Sequence, residues 1–481
     1  MPPARSGPVA HTRNRAAARE ASPSAAKEPM RHTLTSPLPG PSAQPARVLL
    51  IGLNYAPEAS GIAPYSASMT RGLAQRGHDV RVLTTKPHYP EWAVPEAYRG
   101  GAMHELIDGV QVTRLPHYVP NRPTGVRRLI SEISFGLRAL IAPWGRPDVV
   151  VFVSPALFAT AVAMLRTRFS RRMHSIVWIQ DLYGLGIVET GEHGAGSVVE
   201  RVITGTEKSV LTTVDAVTVI HDRFAESVVE LGVERDRIAV IRNWSHLGPE
   251  VPGDREEVRR RLGWGAGEVV ALHTGNMGLK QDLGNLISAA RLADQQDAQV
   301  RFVVMGNGSQ RDALQRQAER DGVQRVQFVD AVPGELYLAA LRAADVLLVN
   351  EAEGLRDMAV PSKLTSYFAA GRPVVAATDE RSITASEVRA AGAGVQVAPG
   401  RPADLLAAVE SIAADQDRSA EYGAHGAAYR ARVLSEEGAL DAFEVLLNRL
   451  RPASRGGSAS NHGSHGRGGG RRQRRWATVS S

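Results

Sequence analysis

Residues 47–85 read RVLLIGLNYAPEASGIAPYSASMTRGLAQRGHDVRVLTT. The stretch opens on an apolar run that ends in a polar loop. Ile62, Tyr65, Met69 and Leu73 then recur at helical spacing. Gly77 follows where a helix often needs a left-handed residue, and a second β-branched run closes the unit. Apolar runs without polar alternation belong to strands buried on both faces, as in parallel sheets. The stretch is therefore read as strand, helix, strand.

The alternation continues in both directions of argument. Strands are expected at 110–115, 148–154, 175–180, 216–220 and 238–241, with helices near 124–141, 156–168, 196–212 and 222–231. SHLGPEVPGD at 245–254 reads as a linker, and the pattern then restarts. The second series places strands at 269–274, 300–306, 326–329, 346–349, 374–376 and 394–397. Its helices lie near 281–293, 309–320, 334–342, 362–370, 382–390 and 402–413. The expected fold class is α/β, with two Rossmann-like doubly wound parallel-sheet domains facing each other across a cleft. Residues 46–245 form the first domain and 255–435 the second. A last helix near 436–451 suits either one.

The chain has 481 residues and no cysteine, which excludes disulfides, thiolate-ligated metals and a cysteine nucleophile, and fits a cytoplasmic setting. The net charge of +7 is misleading as a whole. Residues 1–45 hold six basic and two acidic residues, and 452–481 hold six arginines and no acid, which leaves −3 for the part between. Both tails are Pro-, Gly- or Ser-rich without periodicity and are expected to be disordered. A nucleic-acid-binding surface on the folded part is therefore not expected. No apolar stretch is long enough to span a bilayer, and the N-terminus lacks a secretory pattern.

Open α/β sheets bind ligands beyond the carboxyl ends of their strands, so the strand-to-helix loops carry the candidates. Gly61 in NYAPEASGIAPYS stands just before a helix, either making a tight turn or letting an anion approach the helix N-terminus. The loop is not GxGxxG, which weakens a nicotinamide-cofactor reading. In HTGNMGLKQDL (273–283), Gly275 and Gly278 open the backbone and Lys280 offers a point charge to a phosphate. VVMGNGSQ (303–310) places Gly306 and Gly308 where a flat base can lie, or where a simple turn is needed. In the PSK segment, Pro361 and Ser362 suit a helix start, with Ser362 as cap. Lys363 then falls in the first turn, where a cation is unfavourable unless an anion binds beside it. Asp181 ends a strand in WIQDL (178–182) and can act as a base, position a hydroxyl or cap a helix. His88, His117, His221 and His273 lack metal-ligand spacing and are expected on surfaces or in loops. Residues 122–144, followed by RTRFSRR (166–172), make a basic, apolar stretch that suits either a core-facing helix or an anionic membrane surface.

Taken in order over about 400 residues, these segments resemble family 4 glycosyltransferases of GT-B fold, in particular those building bacterial capsule, O-antigen and colanic-acid-type polysaccharides. The resemblance implies transfer of a sugar from a nucleotide-sugar donor to an acceptor, with retention at the anomeric carbon and without a metal. It implies a lipid-linked saccharide acceptor and a peripheral inner-membrane contact. It carries the donor-phosphate lysines onto Lys280 and Lys363, the base-side glycines onto Gly306 and Gly308, and the acceptor-domain glycine and aspartate onto Gly61 and Asp181. Gly275, Asn276, Ser362 and Ser366 fall in the donor-binding segments. The chain departs from the family at Asn276, where many members carry Arg. It departs again at Met358 and Ser366, where many carry a glutamate pair; Glu351 and Glu353 lie nearby but out of register. A non-catalytic GT-B partner protein and a nucleotide-sugar epimerase stay open as alternatives.

Overall fold

The computed structural model describes residues 45–58, 61–122, 125–170, 172–182, 198–244, 254–355 and 362–451. The two tails, most of the linker, Met358 and Pro361 lie outside them. Residues 45–451 contain two sheets, each with helices on both faces.

The first sheet has eight strands in the order β3-β4-β2-β1-β5-β6-β7-β8. They are β1 (Arg47–Ile51), β2 (Asp79–Thr85), β3 (Met103–Ile107), β4 (Val110–Leu115), β5 (Val149–Val153), β6 (His174–Ile179), β7 (Ala216–Val219) and β8 (Ile238–Val240). All pairs are parallel except β3 with β4. Successive side chains alternate between faces, so one strand feeds two cores. Leu49 and Ile51 pack with Phe152, Val177 and Ile179 under α2 (Gly125–Ile141), α3 (Leu157–Ala163), α4 (Val198–Thr213) and α5 (Asp222–Glu230). Val48 and Leu50 pack with Val151, Trp178 and Trp244 under α1 (Ala63–Gln75). The edge strand β3 was not expected, and the helix expected over 156–168 gives way after Ala163 to a 3-10 turn, Met164–Phe169.

The second sheet has six parallel strands in the order β11-β10-β9-β12-β13-β14. They are β9 (Val269–Thr274), β10 (Val300–Met305), β11 (Val326–Val329), β12 (Val346–Asn350), β13 (Val374–Ala377) and β14 (Gly394–Val397). Its helices are α6 (Arg255–Leu262), α7 (Gly284–Gln295), α8 (Arg311–Arg320), α9 (Gly334–Ala343), α10 (Lys363–Ala370), α11 (Ile383–Ala391), α12 (Pro402–Ala414) and α13 (Gln416–Val433). Strand order reverses between β1 and β5 in one sheet and between β9 and β12 in the other. Those reversals leave crevices at the strand ends, where both sets of candidate residues lie.

The last helix, α14 (Glu436–Leu450), packs on the first sheet, not the second. Phe443 is 1% exposed and meets Trp178 edge-on at 5.2 Å between ring centroids. Gly72 on α1 admits Leu440: a Cβ there would lie 2.4 Å from the leucine's Cδ1. Ion pairs rim this contact, among them Arg76 with Asp441 at 2.6 Å. Pairs at that exposure contribute under about 1 kcal/mol, whereas removing a buried phenyl costs about 3–5 kcal/mol. Phe443→Ala should therefore destabilise the first domain by about 3–5 kcal/mol in urea unfolding followed by tryptophan fluorescence. Arg76→Ala should cost under about 1 kcal/mol. Equal losses would show that the helix is held by charge and not by its apolar face.

Candidate active site

The loop after β9 is the scaffold of the second-sheet site. Gly275 adopts φ +110°, and a Cβ placed on it would reach within 4.0 Å of Lys363 Cε. The loop is braced by its neighbour: Gly275 N–H donates to Met305 O and Met277 N–H to Asn307 O, both at 2.9 Å. Gly306 and Gly308 are required by this bracing. A Cβ on Gly306 would sit 2.1 Å from Gly275 O, and one on Gly308 2.5 Å from Met277 N. The sequence reading had a nucleotide base against these two glycines; the contact visible in the fold is with the neighbouring loop's backbone. On the other flank, Ala352 N–H donates to Lys280 O at 2.8 Å, tying the loop after β12 to the same turn.

Lys363 opens α10, and its ammonium lies 3.3 Å from His273 Nε2. His273 sits inside β9, 0% exposed, and its Nδ1–H donates to Leu348 O at 3.2 Å. That bond leaves Nε2 as the acceptor for the ammonium. Burial and the Lys363 charge hold the imidazole well below its usual range, so it is neutral. Burial also lowers Lys363 to about 8, against the opposing pull of Glu351. Glu351 itself accepts from Thr384 Oγ1 at 2.5 Å. Ser362 stands at the helix N-cap position but makes no side-chain capping bond, contrary to the capping role expected of it. Ser366, one turn on, lies near enough to the Tyr337 hydroxyl to oppose the rise that burial gives it. That hydroxyl also lies 3.1 Å from Thr274 Oγ1.

The first-sheet crevice holds a cavity of about 440 Å³, lined by Gly61, Tyr65, Trp92, Arg128, Asp181 and Ser362 among others. Ser362 comes from the second sheet's side, so both halves of the chain contribute to its wall. Asp181 is open to the cavity yet enclosed by protein on its other sides. Lost solvation raises its carboxyl to about 6, while the charges of Lys280 and Arg128 oppose the rise. Lys280, exposed at its own loop, thus lies within electrostatic reach of the first-sheet aspartate. Further contacts join the two halves. The Thr365 side chain lies close enough to the Tyr65 hydroxyl to offset part of the rise that burial gives it. Glu387 on α11, 4% exposed, pairs with Arg242 at 2.5 Å and accepts from His221 at 3.2 Å.

Of the ten site residues read from the sequence, Gly61, Asp181 and Ser362 line this cavity, and Gly306 and Gly308 pack against the Gly275 turn beside Lys363. His88, His117 and His221 lie in loops as expected, although His88 and His221 are buried and both His117 ring nitrogens are buried without a hydrogen-bond partner among the described residues; the reading is corrected at His273, which is buried inside β9. Arg128, Gln180, Asn243 and His273 were not singled out for the site. No local spacing marks them, because each meets its partners through the sheet topology.

Residues 60–244 match the model of the glycosyl transferase 4-like domain, and residues 254–428 match that of the group 1 glycosyl transferases. WcaI of Escherichia coli (strain K12), assigned as a colanic acid biosynthesis glycosyl transferase, is 32% identical over 339 residues, covering 68% of this chain and 81% of WcaI. Among solved structures, sucrose-phosphate synthase from Thermosynechococcus elongatus aligns with a TM-score of 0.67 at 18% identity, over 85% of this chain and 100% of that one. Anabaena HepE in complex with UDP-glucose aligns with a TM-score of 0.60 at 16% identity, over 83% and 99%. With both halves matched in order and WcaI related over most of its length, this chain belongs to the family 4 glycosyltransferases of GT-B fold and is a glycosyltransferase.

Proposed function

We propose that this enzyme transfers a sugar from a nucleotide-sugar to a lipid-linked glycan acceptor in cell-surface polysaccharide assembly, with retention at the anomeric carbon and without a metal. The observation that carries this reading is the pair of cations at the second-sheet switch point, Lys363 against Gly275 and Lys280 on the same loop, facing Asp181 across the cleft. The assignment of WcaI to colanic acid biosynthesis and the UDP-glucose bound by HepE support the polysaccharide and nucleotide parts.

In this mechanism the bond from the anomeric carbon to the leaving phosphate oxygen breaks while the acceptor oxygen bonds to the same face. The acceptor's proton passes to the departing phosphate oxygen. Lys280, Lys363 and the backbone N–H groups of the Gly275 turn stabilise the diphosphate as its charge grows. Asp181, ionised above pH 6, accepts a hydrogen bond from the attacking hydroxyl and orients it. Glu351 supports the charge of Lys363 from a distance, although it is out of register with the family's glutamate pair.

The lipid-linked acceptor is supported by the outer face of α2. Val126, Ile130, Leu137 and Ile141 share that face, Ile141 is 81% exposed, and Phe169 beyond α3 is 90% exposed. The exposed Arg127, Arg138, Arg168 and Arg172 surround them. Arginines beside an anionic leaflet contribute about 1 kcal/mol each, and apolar side chains insert between headgroups. The proposed contact is a peripheral one on the cytoplasmic face; among the described residues no helix is long and apolar enough to cross a membrane.

Lys363→Ala should lower the rate of nucleotide release from the cognate donor about 10²–10³-fold, the usual loss for one oxyanion-stabilising group. EDTA should leave the wild-type rate unchanged. A rate untouched by the substitution, or abolished by EDTA, would remove the mechanism. Sugar transfer should rise with pH through about 6 as Asp181 ionises, and Asp181→Asn should erase that limb. The linkage has a definite sign. A carboxyl raised on folding favours the folded state below the unfolded pKa, and that advantage fades as pH climbs through the folded value. Asp181→Asn should therefore raise the thermal midpoint at pH 8 but not at pH 3.5. In flotation assays the full chain should rise with phosphatidylglycerol-containing vesicles and not with pure phosphatidylcholine. Phe169→Asp combined with Ile141→Asp should abolish flotation; recovery with both vesicle types, or with neither, would remove the docking surface.

A further inference from the structure

The segment KPHYPEW (86–92) has no role in the mechanism above, although two of its aromatic side chains line the cavity. It follows β2 and is held from beneath by one buried carboxylate. Glu58 Oε1 accepts from the backbone N–H of His88 at 2.8 Å and of Tyr89 at 2.9 Å. Its Oε2 accepts from Asn54 Nδ2 at 2.8 Å. Ala93 N–H then closes the loop onto His88 O at 3.2 Å. The aromatic residues thus stand on a fixed base.

Trp92 adopts φ +52°, a left-handed conformation that a bulky side chain rarely takes. Such an arrangement persists where surrounding structure enforces it, and it concentrates at binding sites. The indole meets His88 edge-on at 5.5 Å and Tyr89 at 6.4 Å. Gly61 completes the wall, since a Cβ there would touch the Tyr89 ring at 3.9 Å.

Across the cavity from these rings, polar groups from the opposite half of the sheet stand among apolar side chains such as Val153 and Ile220. Gln180 and Asn243 exchange amide hydrogen bonds at 2.7 and 3.1 Å, which leaves each with a further donor and acceptor. Asp181, Glu132 and Arg128 lie with them. Two carboxylates face Arg128 and, from across the cleft, Lys280, a balance of charge that suits a neutral polyol. A pyranose ring has the matching shape: a face of C–H groups to lie on an aromatic ring, and an edge of hydroxyls to meet amides and carboxylates.

We propose that Trp92, supported by Tyr89, is the platform on which the acceptor's terminal sugar ring stacks, with Gln180, Asn243 and Asp181 reading its hydroxyls, so that this loop sets which sugar is extended. The inference rests on the transferase reading of the cleft, but its test is independent of donor chemistry.

The test is saturation-transfer difference NMR on the full chain with free glucose, galactose, mannose, fucose, N-acetylglucosamine and glucuronic acid. Wild type should transfer saturation to the ring protons of at least one of them. Trp92→Ala should weaken that sugar's binding at least tenfold, Trp92→Phe should restore part of it, and Lys363→Ala should leave it unchanged. Trp92→Gly accommodates the positive φ and guards against misfolding: its thermal midpoint should match or exceed wild type while sugar binding is lost. Wild-type-like binding in Trp92→Ala, or no saturation transfer from wild type to any of the sugars, overturns the proposal. If sugar binding follows Trp92 while Lys363→Ala still binds nucleoside diphosphates, the donor-site reading fails and the platform stands.

Discussion

A lysine ammonium set between two strand ends must lose most of its water and still keep its charge. Lys363 is in that position, and much of the second sheet's local structure answers to it. A carboxylate in contact would hold the charge but occupy the donors. The neutral His273 accepts one hydrogen bond and leaves the others for a ligand. Its tautomer depends on the Leu348 carbonyl of the adjoining strand, so the register of β9 beside β12 matters to the site. Gly275 supplies the φ of +110° that the turn beside the lysine requires, and Gly306 and Gly308 permit the loop that props Gly275 to come close. Glu351 supports the positive charge without touching it.

The second requirement is that this cation meet a group carried by the other sheet. Three features hold the halves in that relation. Glu387 is sunk among Arg242, His221 and Tyr429, and separating the halves would strip it of Arg242 and His221, its two partners from the first half. Tyr65 reaches across to Thr365 beside Lys363. After α13 has packed on the second sheet, α14 returns to the first and seals its core through Phe443 and Leu440. The chain therefore crosses between domains twice, which couples the stability of the first domain to the end of the folded sequence.

The β-α alternation was legible because parallel strands buried on both faces leave long apolar runs, as in Val149–Val153. The elements that escaped notice are those without such runs. β3 is a half-exposed edge strand, and α6 is built mostly of Arg and Glu. α13 packs through small residues: a Cβ on Gly423 would lie 2.2 Å from Gly371 O, so the contact leaves no apolar stripe to read. The site was legible as residue types at strand ends, which is why Asp181, Lys280 and Lys363 were found. Their relations were not. His273 reads as one more strand residue until the fold brings Lys363, ninety positions later, against it. Glu351 is out of register in the alignment of motifs, yet space places it within electrostatic reach of Lys363. Ser362 has the right type for a cap but spends its side chain on the cavity wall.

The central claim is that the Gly275 turn, with Lys280 and Lys363, holds the diphosphate of a nucleotide without help from a metal. Isothermal titration of UDP, GDP, ADP and CDP into the full chain in EDTA tests it most directly. One nucleoside diphosphate should bind at pH 7, weaken as pH rises beyond about 8 where free Lys363 loses its proton, and fail to bind Lys363→Ala. Binding that appears only when a divalent cation is added, or that survives Lys363→Ala with the same affinity, would contradict it.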